Sequence, residues 1–154
     1  MSDSYLTLAS PSEAVFTEKR SKFLAFAFPA KTAAEVKEQV DALSRKYYDA
    51  RHVGGAYLLG FDRTDFRAND NGEPSGTAGR PILGQINSLG LTDVCVAVVR
   101  YFGGIKLGTP GLIAAYRESA RLALEAGDIV ECNVTDTLEF TNHYAVMKDV
   151  MKAN

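Results

Sequence analysis

The stretch Val94-Cys-Val-Ala-Val-Val-Arg-Tyr-Phe-Gly-Gly-Ile-Lys-Leu-Gly-Thr-Pro-Gly-Leu-Ile-Ala-Ala-Tyr-Arg117 decides the fold. Its first part, from Asp93 to Val99, is apolar at every position after Asp93. A short unbroken apolar run is what a central strand covered on both faces requires. Its last part carries Leu112, Ile113 and Tyr116, continued by Ala120, Ala123 and Leu124, at the spacing of one helical face. Thr109 is the expected N-cap of that helix, Pro110 its first residue and Gly127 its stop. Between strand and helix lie Gly103, Gly104, Gly108 and Gly111, with the cations Arg100 and Lys106. Glycine permits tight bends and close approach of a ligand to the backbone. A helix start offers N–H groups without intrahelical partners and the positive end of the dipole. Together these features suit an anion.

Working outward, a second unusual loop runs Asn69-Asp-Asn-Gly-Glu-Pro-Ser-Gly-Thr-Ala-Gly-Arg-Pro81. Asn71-Gly72 marks a turn. A helix is expected to open near Thr77 to Pro81, with Ile82, Leu83, Ile86 and Leu89 on its apolar face and Gly90 at its end. Upstream, Tyr5 to Ala9, Glu13 to Glu18 and Ser21 to Phe28 read as strands. In the third, Phe23, Ala25 and Ala27 share one face and Leu24, Phe26 and Phe28 the other, which places it in the sheet interior. Lys19, Arg20 and Lys22 cluster at the intervening turn, where a solvated hairpin tip accounts for them. Thr32 to Tyr47 reads as a helix, with Thr32 and Glu35 at capping-box spacing and Val36, Val40, Leu43 and Tyr47 on one face. His52 precedes Gly54-Gly55 and an expected strand from Ala56 to Phe61, and Phe66 to Ala68 forms a short strand. Ile129 to Phe140 reads as a last strand, followed from Asn142 by a helical pattern with Val146, Met147, Val150 and Met151.

Composition bounds the class. The chain has 154 residues, 46% of them hydrophobic, enough for a core without disulfide staples. Its formal net charge is -2, whereas a dedicated nucleic-acid binder carries a basic excess, so such binding has to rest on a local patch. The two cysteines, Cys95 and Cys132, stand far apart, with no C-x-x-C and no Cys/His cluster for zinc. No cofactor motif is found: the glycine loop fits neither the Walker pattern nor the dinucleotide fingerprint. The start of the chain lacks the order of a signal peptide and no apolar run has membrane-spanning length, so a reducing, cytoplasmic setting without membrane partners is expected.

Two carboxylates, Asp70 and Glu73, admit two readings. One is acid–base work, with a Ser75–His52–Asp70 triad as its extreme form. The other is structural, with Asp70 and Glu73 capping turns or pairing with Arg80 or Arg100.

The same residues carry a family likeness. Asp49-Ala-x-His52, Asp70-x-Gly72-Glu-Pro-Ser-Gly-Thr-Ala-Gly79 and Val99-Arg-Tyr-Phe-Gly-Gly-Ile-Lys-Leu-Gly-Thr109, with Lys19-Arg-Ser-Lys-Phe23 upstream, closely resemble the Impact family of bacterial YigZ-like and eukaryotic Impact proteins. The likeness spans about residues 5 to 127; Pro110 departs from the family's usual glycine. The resemblance implies an α+β two-layer sandwich similar to the second domain of a small-subunit ribosomal protein and to domain four of elongation factor G. It also implies a domain at 1–127, with 128–154 as the start of a second, ferredoxin-like domain. Functionally it implies translation regulation, through a protein partner of the translation-control machinery or through RNA or the ribosome. The expected binding surface comprises Arg100, Gly103, Gly104, Lys106, Gly108 and Thr109, faced by His52, Asp70 and Glu73. The rival reading is a peptidase-like hydrolase using His52, Asp70 and Glu73.

Overall fold

The computed structural model describes residues 4–134. In chain order the elements are β1 (Ser4–Leu8), β2 (Ser12–Glu18), β3 (Ser21–Pro29), α1 (Ala33–Lys46), β4 (His52–Leu59), β5 (Asp65–Asn69), α2 (Gly79–Ser88), β6 (Val94–Tyr101), α3 (Gly108–Glu125) and β7 (Ile129–Asn133). Five strands form one sheet in the order β2-β3-β6-β4-β5, every neighbouring pair antiparallel. The apolar run therefore lies at the centre, and β3 is interior as its two-faced pattern requires. β1 and β7 form a separate antiparallel pair.

The sheet's alternation sorts the core. Phe23, Ala25, Ala27, Val94, Val96 and Val98 face α2 and α3, meeting Ile82, Ile86, Leu112, Tyr116, Ala120 and Leu124. Those residues are nearly all withdrawn from solvent, at about 25 cal/mol for each Å² of apolar surface. The alternate residues, Leu24, Phe26, Phe28, Cys95, Ala97 and Val99, face α1 through Val36, Val40, Leu43 and Tyr47. This is the α+β sandwich, with α1 covering the sheet's second face. Thr32 caps α1 as its sequence requires: its hydroxyl accepts from the Glu35 N–H at 3.1 Å, while the Glu35 carboxylate accepts from the Lys31 N–H at 2.7 Å. Burial pushes the Cys95 thiol up to about 12, so this cysteine is a core residue.

Two local expectations are corrected. β4 begins at His52, not after the glycine pair. Gly54 and Gly55 are strand residues, and packing makes them glycine: a Cβ on Gly54 would stand 3.0 Å from the Ala78 Cβ, and one on Gly55 2.9 Å from the Val96 carbonyl oxygen. Thr109 is not the N-cap of α3: the helix opens at Gly108 with Leu107 in the capping position and no side-chain cap bond. The last strand covers Ile129–Asn133; the remainder of that expected strand, from 135, and the helical pattern from Asn142 lie outside the described residues.

Candidate binding site

Strand register builds one wall of the site. Phe23, Arg100 and His52 are cross-strand neighbours on β3, β6 and β4, so their side chains stand in a row at one end of the sheet. Tyr116 of α3 packs edge-on against Phe23, with ring centroids 5.2 Å apart. The loop between β5 and α2 brings Glu73 onto this row. The Glu73 carboxylate accepts from Arg100 Nη1 at 2.9 and 2.8 Å, and the Tyr116 hydroxyl donates to its Oε2. Arg100 is 8% exposed and Glu73 6%, so this is a buried ion pair. A buried pair stabilises little in net terms but is costly to break, because the surviving charge has no solvent. Burial, then the Glu73 carboxylate, pushes the Tyr116 phenol far up, which keeps it a hydrogen-bond donor.

His52 is the third partner. Its Nδ1 lies 2.9 Å from the Asn71 carbonyl oxygen. A carbonyl only accepts, so Nδ1 carries the proton and Nε2 turns toward Glu73 Oε1, 3.7 Å away. Asp70 has a different task. Its carboxylate accepts backbone N–H bonds from Gly76 at 2.8 Å, Ala78 at 3.1 Å and Gly79 at 2.8 Å, closing the loop and capping the start of α2. Burial acts to raise its pKa, but those three N–H groups and nearby Arg80 outweigh it and hold the carboxyl below 3.8. The Ser75–His52–Asp70 triad is therefore not assembled, because both Asp70 oxygens and His52 Nδ1 are spent on the backbone of the loop between β5 and α2.

The two glycine-rich loops meet. A cavity of about 340 Å³ between them is lined by His52, Glu73, Arg100, Lys106, Gly108 and Thr109 from the expected set. Gly103, Gly104 and Asp70 lie outside that lining. The sequence reading missed Arg51, Pro74, Phe102, Leu107 and Leu112 in the lining, and Tyr116 as the second donor to Glu73. Tyr116 had a signal: a tyrosine on a buried stripe needs a partner for its hydroxyl. Arg100 is bound inward, whereas Lys106 is exposed, and none of the described ion pairs uses it or Arg51. The rim thus offers Arg51, Lys106 and the first residues of α3 around a carboxylate already neutralised by Arg100.

Residues 19–124 match the model of the Impact N-terminal domain. The chain belongs to the Impact family. Among its curated relatives, the Impact family member YvyE of Bacillus subtilis is 38% identical over 85% of this chain and 60% of its own. The member YigZ of Escherichia coli is 36% identical over 79% of this chain and 61% of its own. This Impact-family chain spans about six-tenths of the length of those relatives. The crystal structure of a hypothetical protein superimposes with a TM-score of 0.82 at 33% identity, covering 86% of this chain and 66% of that one. A structure of the two-domain translational regulator Yih1 aligns at 26% identity with a TM-score of 0.45, over 79% of this chain and 47% of that one. No helix among the described residues is long and apolar enough to cross a membrane.

Proposed function

We propose that this chain is a cytoplasmic, translation-linked binding protein of the Impact type, and that the cavity between its two glycine-rich loops takes an anionic group, favouring the phosphate of RNA or the ribosome over the acidic surface of a protein partner. The supporting observation is the convergence of Arg51, Lys106, His52 and the Gly108–Thr109 helix start on one cavity whose sole lining carboxylate is paired with Arg100. Backbone N–H groups at a helix start and unpaired cations form a seat for negative charge. The hydrolase reading gains nothing from the geometry: Asp70 is a loop cap, and Glu73 is bonded to Arg100 and Tyr116.

The test is binding of RNA and of purified ribosomes as salt is raised. Each phosphate contact contributes roughly 0.7 to 0.9 to the slope of log affinity against log salt. Arg51→Ala with Lys106→Ala is expected to lower that slope by about 1.5 and to weaken binding at low salt. An affinity unchanged by salt and by the double substitution defeats the reading. Arg100→Ala is unsuited to this test, because it strands Glu73.

A further inference from the structure

We infer that the exposed ring of Phe102 is a stacking platform for an unpaired base, so that the surface around the cavity binds single-stranded nucleic acid. This rests on the phosphate reading above and deepens it.

The ring is held and open at once. Phe102 follows Arg100 by two residues, and the Arg100 guanidinium carbon lies 5.6 Å from its ring centroid. That guanidinium is fixed by Glu73 and also lies 5.8 Å from the Phe23 ring centroid. One part of Phe102 therefore rests on an immobile cation, yet the residue remains 45% exposed, with Ile105 close by in sequence at 44%. A flat apolar ring left in water at the edge of the cavity that it also lines has the form of a base-stacking site.

The surroundings are basic beyond the cavity. The β2–β3 hairpin tip, with Lys19 and Arg20, packs directly on the loop after Phe102. A Cβ on Gly103 would lie 2.0 Å from the Arg20 carbonyl group, and the Gly103 N–H donates to Ser21 Oγ at 3.1 Å. Lys22 pairs in register with Tyr101. Arg51 and Lys106 line the cavity with Phe102, and Lys19 and Arg20 stand at the hairpin tip that packs on Gly103, whereas Lys22 lies on the opposite sheet face beside Tyr101 and its acceptor Asp49.

The tip is also strained. Glu18 pairs with Ser21, leaving a two-residue turn in which Lys19 has φ 47° and Arg20 φ 69°. Such a turn favours Asn-Gly, and left-handed residues with side chains are uncommon. Cations stand where the backbone would be relaxed without them, which is the pattern of a site that uses its side chains.

An acidic protein surface would satisfy the cations but leaves the ring without a purpose. A duplex satisfies them too, but its bases are stacked on one another. An unpaired nucleotide uses both the ring and the charges, with its base on Phe102 and the adjoining phosphate at Lys106 or Arg20.

The chain has no tryptophan, so Phe102→Trp installs a lone fluorophore at the platform. Titration with a short oligouridylate is expected to quench it, and an abasic ribose-phosphate oligomer of equal length is expected to bind without quenching. Without the tryptophan, Phe102→Ala is expected to weaken oligouridylate binding about tenfold more than it weakens abasic binding. If Phe102→Ala binds oligouridylate like the parent, or a duplex outcompetes it, the stacking inference falls, while salt-sensitive binding that is lost in Lys106→Ala keeps the phosphate reading. Binding to an acidic peptide but not to oligouridylate overturns the nucleic-acid assignment. Binding to neither removes both.

Discussion

The loops at 70–79 and 102–109 have almost the same ingredients, glycines with a few charged residues, and opposite uses. In the first, each charge has an internal partner: Asp70 takes three backbone N–H groups, and Glu73 takes Arg100 and Tyr116. In the second, Phe102, Ile105 and Lys106 face solvent. The difference shows that composition marks an unusual loop but does not say which way it points. Only an account of where each donor and acceptor is satisfied separates a loop that holds the fold together from one whose side chains are left to solvent.

Substitutions can break that contrast. The largest effect is expected at the buried pair. Glu73→Ala leaves the Arg100 charge and the Tyr116 hydroxyl stranded and is expected to lower stability by about 3–5 kcal/mol in urea denaturation. Among the described residues Arg100 Nε already lacks a partner, so Glu73→Leu with Arg100→Met is expected to recover most of that loss. A double variant as unstable as the single would mean that the pair holds the loop in a way apolar packing cannot replace.

Asp70 comes next. Asp70→Ala removes the acceptor of three N–H groups and is expected to cost about 2 kcal/mol. Its carboxyl is held below its ordinary 3.8, so its contribution is present above that value and is lost as pH falls through the lowered one. Melting curves of parent and Asp70→Asn are therefore expected to converge in acid; a constant gap at all pH values would contradict the charged-cap assignment.

On the open side the sign reverses. Lys19→Asn with Arg20→Gly relaxes the hairpin turn and is expected to raise stability by about 1 kcal/mol while weakening oligonucleotide binding. A more stable protein with unchanged binding would make the tip merely a strained turn. The smallest stability effect, within about 0.5 kcal/mol, is expected for Lys106→Ala, and its loss is to be sought in binding alone.

Much of the fold was legible because its signals are local. The V-C-V-A-V-V run, the two-faced alternation of Phe23 to Phe28 and the Thr32 cap each identify an element from adjacent residues. The starts of β4 and α3 were not, because glycines that read as loop formers are demanded by contacts distant in sequence, such as Gly55 against Val96. The site was half legible. That His52, Arg100 and Glu73 are brought together follows from register, which no spacing along the chain reveals. The same applies to Tyr116, which serves the core with its ring and the ion pair with its hydroxyl. The spacing of Asp70 and Glu73 fits acid–base work and turn capping equally, and only their partners, backbone N–H groups for one and Arg100 with Tyr116 for the other, tell the two apart.

The pairing of β1 with β7 has a consequence for synthesis. Ser4 to Leu8 find their ladder partners at Asn133 to Ile129, with one further bridge from Leu6 to Leu91. At ribosomal speeds of 5–20 residues per second, β1 waits roughly 6 to 25 s for its complement. Before then β1 is tethered only from the time residue 92 is made, by the Thr92 N–H on the Leu6 carbonyl. The β1–β7 ladder therefore cannot close before the residues near 130 have been made.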